Sequence, residues 1–168
     1  NGYPLTAIVG RRDVMEAAQG IFISSTFYTE RIAFAATLKS IEVYERERVW
    51  EKQSEYGRLI QAGWQKKADE AGLTIEIGGI LPMSHFAIIG DEHPLVYKTF
   101  VTQEMLKRGY IASNSFYTCN AHSEEIINTY LDNIGEVFMD IAKLTERGVR
   151  VESQLKGGVC QSGFGRLN

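Results

Sequence analysis

Cysteine is scarce in this sequence: only Cys119 and Cys160 occur among 168 residues, far apart in the chain. Metal and redox motifs need closely spaced cysteines, and small disulfide scaffolds need many of them. The wide spacing therefore excludes a cysteine metal or redox motif, and the small number excludes a disulfide scaffold. We expect two reduced structural thiols.

The sequence also lacks an excess of charge and a long apolar run. Its 18 Lys and Arg against 21 Asp and Glu give a net charge of −3, so there is no broad basic field to attract nucleic acid. No apolar run approaches the roughly 20 residues that cross a bilayer, and the sequence does not open on a signal-like segment. We expect a soluble, cytoplasmic protein with neither a nucleic-acid partner nor a membrane partner.

What the sequence does contain is enough apolar material for a core. A 44% hydrophobic share in 168 residues is ordinary for one globular domain. The chain opens without methionine, at a turn-like segment in which Gly2 and Pro4 precede an apolar stretch. We expect it to be a piece of a longer protein.

Hydrophobic periodicity predicts helices alternating with short strands. The predicted helices are residues 11–19, a helix from about residue 30 covered on several sides, a long amphipathic helix ending at Gly72, residues 93–108, and a helix capped by Ser123. The predicted strands are residues 5–9, 21–23, 73–80, 84–89 and 110–112. From Gly148 we expect a glycine-rich tail with at most a short extended piece.

This order predicts an α+β fold, in which a small antiparallel sheet is flanked by helices and follows the end of a larger α/β domain. The predicted boundaries are 1–45 for the end of the large domain with a connecting helix, 46–145 for the α+β domain, and 146–168 for the tail. No internal repeat is visible.

Two stretches resemble a known family. Residues 1–15, NGYPLTAIVGRRDVM, and residues 24–36, SSTFYTERIAFAA, resemble class III pyridoxal-phosphate-dependent aminotransferases in order and spacing. Residues 75–79 and 121–125 are similar to the small C-terminal domain of the glutamate-1-semialdehyde group of that family. One departure is the absence of the Gly-Asn-Pro tripeptide that many members have near residue 30, so the substrate stays open.

The resemblance implies a fold type I enzyme whose Schiff-base lysine lies shortly upstream of Asn1. It implies a homodimer in which Thr26, assisted by Ser25, donates to the phosphate of the pyridoxal 5'-phosphate in the other subunit. The enzyme would transfer or relocate an amino group between small molecules, and this chain alone would be inactive. A non-catalytic α+β dimerisation or interaction domain is the alternative.

Each candidate residue also has a structural interpretation. Thr26 could belong to a turn that caps the following helix. Arg31 could hold a substrate carboxylate with Glu30 nearby, or the two could form a salt bridge in the first helical turn. The three histidines show no metal-like spacing, and we expect packing or capping roles for them and no bound metal; they are His85, His93 and His122.

Overall fold

The computed structural model describes residues 3–22, 26 and 30–163. By their internal contacts the residues form two compact units, 1–49 and 50–168. Within the described part of the chain, no helix combines the length and apolar character needed to cross a bilayer.

The first unit contains two helices, α1 (Arg12–Ala18) and α2 (Arg31–Arg46). The predicted strand at residues 5–9 is wrong, because these residues have no strand partner among those described. Ile21 and Phe22 are likewise loop, and Ile23 lies outside the described residues. A β-strand forms only when a neighbouring strand hydrogen-bonds to its backbone N–H and C=O groups. An apolar run in the sequence does not show that such a neighbour exists.

Helix α2 has the predicted position but not the predicted burial. Ala33 is its buried residue, whereas Ile32 and Leu38 are 55% and 71% exposed. Apolar side chains all around a helix are covered only when neighbours surround it. The described residues do not surround this one, so the expected cover on several sides is absent among them.

The second unit carries the sheet. Helix α3 (Val49–Ala71) leads into strands β1 (Thr74–Ile80) and β2 (Met83–Ile89). Then come α4 (Pro94–Lys107), β3 (Ser115–Tyr117), α5 (Glu124–Glu146) and a 3-10 helix at Val151–Gln154. The sheet is antiparallel in the order β1-β2-β3, with Ile75 opposite Ile88 and Ser84 opposite Phe116.

The third strand lies later than predicted. Residues 110–112 are loop, because the chain there is still crossing from the end of α4 towards the sheet. Pairing begins beside Asn114, whose carbonyl accepts from the Phe86 N–H at 3.0 Å and whose side chain donates to the Phe86 carbonyl at 2.8 Å. The apolar run at 110–112 predicted the right kind of element at the wrong residues.

A single core joins the three long helices to one face of the sheet. Phe86 packs edge-on against Trp64 of α3 and Phe138 of α5, with ring centres 4.9 and 5.4 Å apart. Full burial of a side chain such as Phe138 stabilises the fold by about 1.5–3 kcal/mol. The Trp64 indole N–H donates to the Tyr130 hydroxyl at 3.0 Å, so these two buried polar groups pair with each other.

Several predicted helix ends are confirmed by their geometry. Ser123 Oγ accepts from the Ile126 N–H at 3.3 Å, as an N-cap does. Gly72 and Gly109 follow α3 and α4 with φ angles of 69° and 86°, in the left-handed region that glycine reaches at little cost.

The segment after residue 148 forms a short helix where we expected at most an extended piece. Val151 is buried in the core at 1% exposure, and the 3-10 helix starts there. The Glu92 carboxylate accepts from the Val151 and Glu152 N–H groups at 2.5 and 3.0 Å. Gln103 of α4 donates to the Gln154 carbonyl at 3.1 Å, which fastens the same segment to α4.

Candidate functional site

Thr26 lies in a turn and is exposed to solvent. Its proposed helper, Ser25, lies outside the described residues. An exposed hydroxyl can donate to an oxygen of a phosphate group. Thr26 is therefore compatible with a phosphate-binding role.

The helix that follows is capped by Glu30. Glu30 Oε1 accepts from the Ile32 N–H at 3.0 Å, and Oε2 accepts from the Ala33 N–H at 3.2 Å. A carboxylate here also faces the positive end of the helix dipole. Since Glu30 is the N-cap of α2, the structural interpretation of Thr26 as that cap does not hold.

Arg31 is the first residue of α2 and is exposed. Both oxygens of Glu30 are taken up by backbone N–H groups, and Arg31 forms no ion pair with any residue that the structure describes. The first-turn salt bridge between these two residues is thus not formed. A cation in the first helical turn is not stabilised by the helix dipole. The stability of α2 therefore gives no reason for an arginine at position 31.

A charged groove that the sequence analysis missed lies between α3 and α5, with a cavity volume of about 520 Å³. Lys67 donates to Asp132 at 2.9 Å, and this hydrogen bond raises the pKa of Lys67. Arg108 donates to Asp140 at 3.2 Å. The four-residue spacing of Asp132, Glu136 and Asp140 along α5 was the signal for a shared face. The groove is lined by a network of paired charges.

Each histidine has a structural contact. His93 Nδ1 accepts from the Leu95 N–H at 3.2 Å and caps α4. His85 lies against Gly78, where an added Cβ would be 2.8 Å from the ring nitrogen Nε2. His122 Nδ1 accepts from the Cys119 N–H at 3.1 Å. These contacts agree with the packing and capping roles that we expect.

Comparisons with known proteins identify relatives for this fold. No family model matches the sequence. The chain is 29% identical over 152 residues to 3-aminobutyryl-CoA aminotransferase of Cloacimonas acidaminovorans, covering 86% of this chain and 36% of that protein. It is 30% identical over 154 residues to glutamate-1-semialdehyde 2,1-aminomutase of Caldivirga maquilingensis, covering 82% and 36%. The chain therefore spans about a third of these relatives.

A solved structure gives the same result for the fold. The FumI protein of Sphingopyxis sp. MTA144, in its PLP internal aldimine form, superposes with a TM-score of 0.73 at 17% identity. The match covers 87% of this chain and 35% of FumI. The α+β prediction is confirmed, and the chain has the fold of part of a PLP-dependent enzyme.

Together these matches say which family the chain is similar to. The relatives are class III pyridoxal-phosphate-dependent aminotransferases, and they match most of this chain. The resemblance to that family is thereby confirmed. Within that family the similar proteins include both an aminomutase and an aminotransferase.

Proposed function

We propose that this chain is part of a pyridoxal-phosphate-dependent enzyme that transfers or relocates an amino group between small molecules. The single observation that supports this most is the similarity to 3-aminobutyryl-CoA aminotransferase, which extends over 86% of the chain. The chain by itself is inactive in this proposal, because the lysine and the acidic group that the cofactor needs belong to the rest of the protein. Aminomutase and aminotransferase activities both remain open.

In the complete enzyme, Thr26 is the residue of this chain that contacts the cofactor. Bound pyridoxal phosphate supplies an electron sink for bonds at the amino-bearing carbon. The exposed Thr26 hydroxyl donates to its phosphate, with Ser25 assisting. That phosphate belongs to the other subunit, so the proposal includes a homodimer.

Arg31 is the residue of this chain that we propose for the substrate. Its guanidinium is exposed and unpaired among the described residues, and it can form a two-pronged pair with a carboxylate. Glu30 contributes indirectly, because its cap fixes the first turn of α2 from which Arg31 projects.

A cytoplasmic location is also proposed, since the two cysteines are unpaired thiols, as in a reducing compartment.

The test uses the full-length protein that contains this chain. We expect a preparation with added pyridoxal phosphate to be yellow, and Thr26→Val to weaken cofactor binding about 10-fold or more, since a hydrogen bond to a charged group contributes about 1.5–3 kcal/mol. Thr26→Ser should restore binding because it keeps the hydroxyl. The measurement is cofactor absorbance after dialysis against decreasing pyridoxal phosphate.

Thr102→Val is the matched control. Thr102 lies in α4, where its hydroxyl donates to the Lys98 carbonyl at 2.9 Å, and its loss should leave cofactor binding unchanged. A protein that stays colourless with added cofactor would contradict the proposal and favour the interaction-domain alternative. Equal cofactor binding by Thr26→Val and the parent protein would show that Thr26 does not contact the cofactor. The proposed enzyme class would be unaffected by that result.

A further inference from the structure

The connection between β3 and α5 contains a turn closed by a histidine, residues 119–122, which we name the His122 turn. The Cys119 N–H donates to His122 Nδ1 at 3.1 Å, and the His122 N–H donates to the Cys119 carbonyl at 3.2 Å. Because Nδ1 accepts a hydrogen bond, the ring hydrogen is on Nε2 and the imidazole is neutral. The turn thus requires the uncharged form of His122.

The surroundings of the ring favour that uncharged form. The imidazole packs on Phe116 with ring centres 5.0 Å apart, and Phe116 packs on the buried Tyr130 at 4.9 Å. Desolvation in this position lowers the pKa of His122 from its ordinary value of 6.5. A proton on His122 is therefore disfavoured while the turn stays folded.

The charged groups around the turn offer no partner to a protonated ring. Lys52 of α3 donates to the Asn120 carbonyl at 2.9 Å, which brings a second cation to the turn. Glu124 and Glu125 stand in the first turn of α5, yet neither they nor any other described carboxylate pairs with His122. The Cys119 thiol lies in the turn itself, and the Tyr130 hydroxyl accepts from the Trp64 indole N–H at 3.0 Å.

We propose that the His122 turn is a proton-sensitive device at the start of α5. Protonation places a hydrogen on Nδ1, so the ring faces the Cys119 N–H as a second donor and the turn opens. The next residue is Ser123, the N-cap of α5, so opening loosens the beginning of that helix. A histidine whose folded pKa is lowered stabilises the fold fully above 6.5, and this contribution is lost as the pH falls from there through the folded pKa.

Hydrogen exchange in the full-length protein tests the device. Peptides covering residues 117–127 should keep their protection down to about pH 6.5 and lose it from there to about pH 5, by up to about tenfold per pH unit after correction for intrinsic exchange. His122→Asn should abolish this loss, because Asn Oδ1 can accept from the Cys119 N–H but takes no proton.

His93→Asn is the matched control. His93 also accepts a backbone N–H through Nδ1, but it is exposed and belongs to α4, so the loss at 117–127 should persist in this variant. The proposal is overturned if the parent protein keeps its protection at low pH, or if His122→Asn loses it equally. Exchange of the His122 C2 hydrogen needs no variant and gives its pKa directly. A pKa at or above 6.5 would also overturn the proposal.

Discussion

At the scale of single residues, Gly57 is the described glycine that leaves least room for a side chain. This helical glycine lies so near the β1–β2 turn that an added Cβ would stand 2.0 Å from the Leu81 carbonyl oxygen and 2.4 Å from its carbon. Alanine is about 1 kcal/mol better than glycine inside an exposed helix. Helix propensity alone would favour alanine at position 57. The close contact with the turn backbone leaves no room for the alanine Cβ.

We therefore expect Gly57→Ala to destabilise the protein by about 1–3 kcal/mol, because the turn backbone must move away from α3. Gly63→Ala is the comparison: its added Cβ would meet the end of the Leu131 side chain at 2.3 Å, and a side chain can shift more easily than backbone. Urea unfolding of both variants measures the difference. If Gly63→Ala lowered the free energy of unfolding as much as Gly57→Ala, a contact with backbone would be no more costly than a contact with a side chain.

At the scale of elements, periodicity predicted α3, α4, α5 and the β1–β2 hairpin because each buries one stripe or one face. It failed where a distant partner decides the structure. Residues 5–9 have the apolar content of a strand but no described partner, and Val151 is fixed by Glu92 from another part of the chain. At the candidate site, Thr26 came from the family resemblance. The Glu30 cap on α2 emerged from geometry alone.

The attachment of the C-terminal segment gives a prediction at this scale. Glu92→Ala removes the acceptor for the Val151 and Glu152 N–H groups, and loss of a cap of this kind costs about 0.5–2 kcal/mol. We expect faster hydrogen exchange in residues 150–160 and little change in α5. Asp91→Ala is the control, because Asp91 is exposed and adjacent in sequence. Equal exchange in both variants would mean that Glu92 does not hold the segment.

At the scale of the whole molecule, the two units differ in what they bury. Every member of the core cluster lies between Tyr56 and Val151, within the second unit. In the first unit the large apolar side chains are mostly exposed, including Val9 at 88% and Phe22 at 96%. Burial of apolar surface is the main favourable term in folding, so the second unit holds most of the stabilising burial that this chain contains.

Residues 50–168 produced alone should therefore unfold in one cooperative transition, with a midpoint within about 5 °C of the whole chain, as expected when less than about 1 kcal/mol is lost. Differential scanning calorimetry measures both. The control is residues 50–148, which lack Val151 and the backbone N–H groups that Glu92 binds, and its midpoint should fall further. A fragment 50–168 without a cooperative transition would mean that the first unit is needed to form the core, although it contributes no residue to the core cluster.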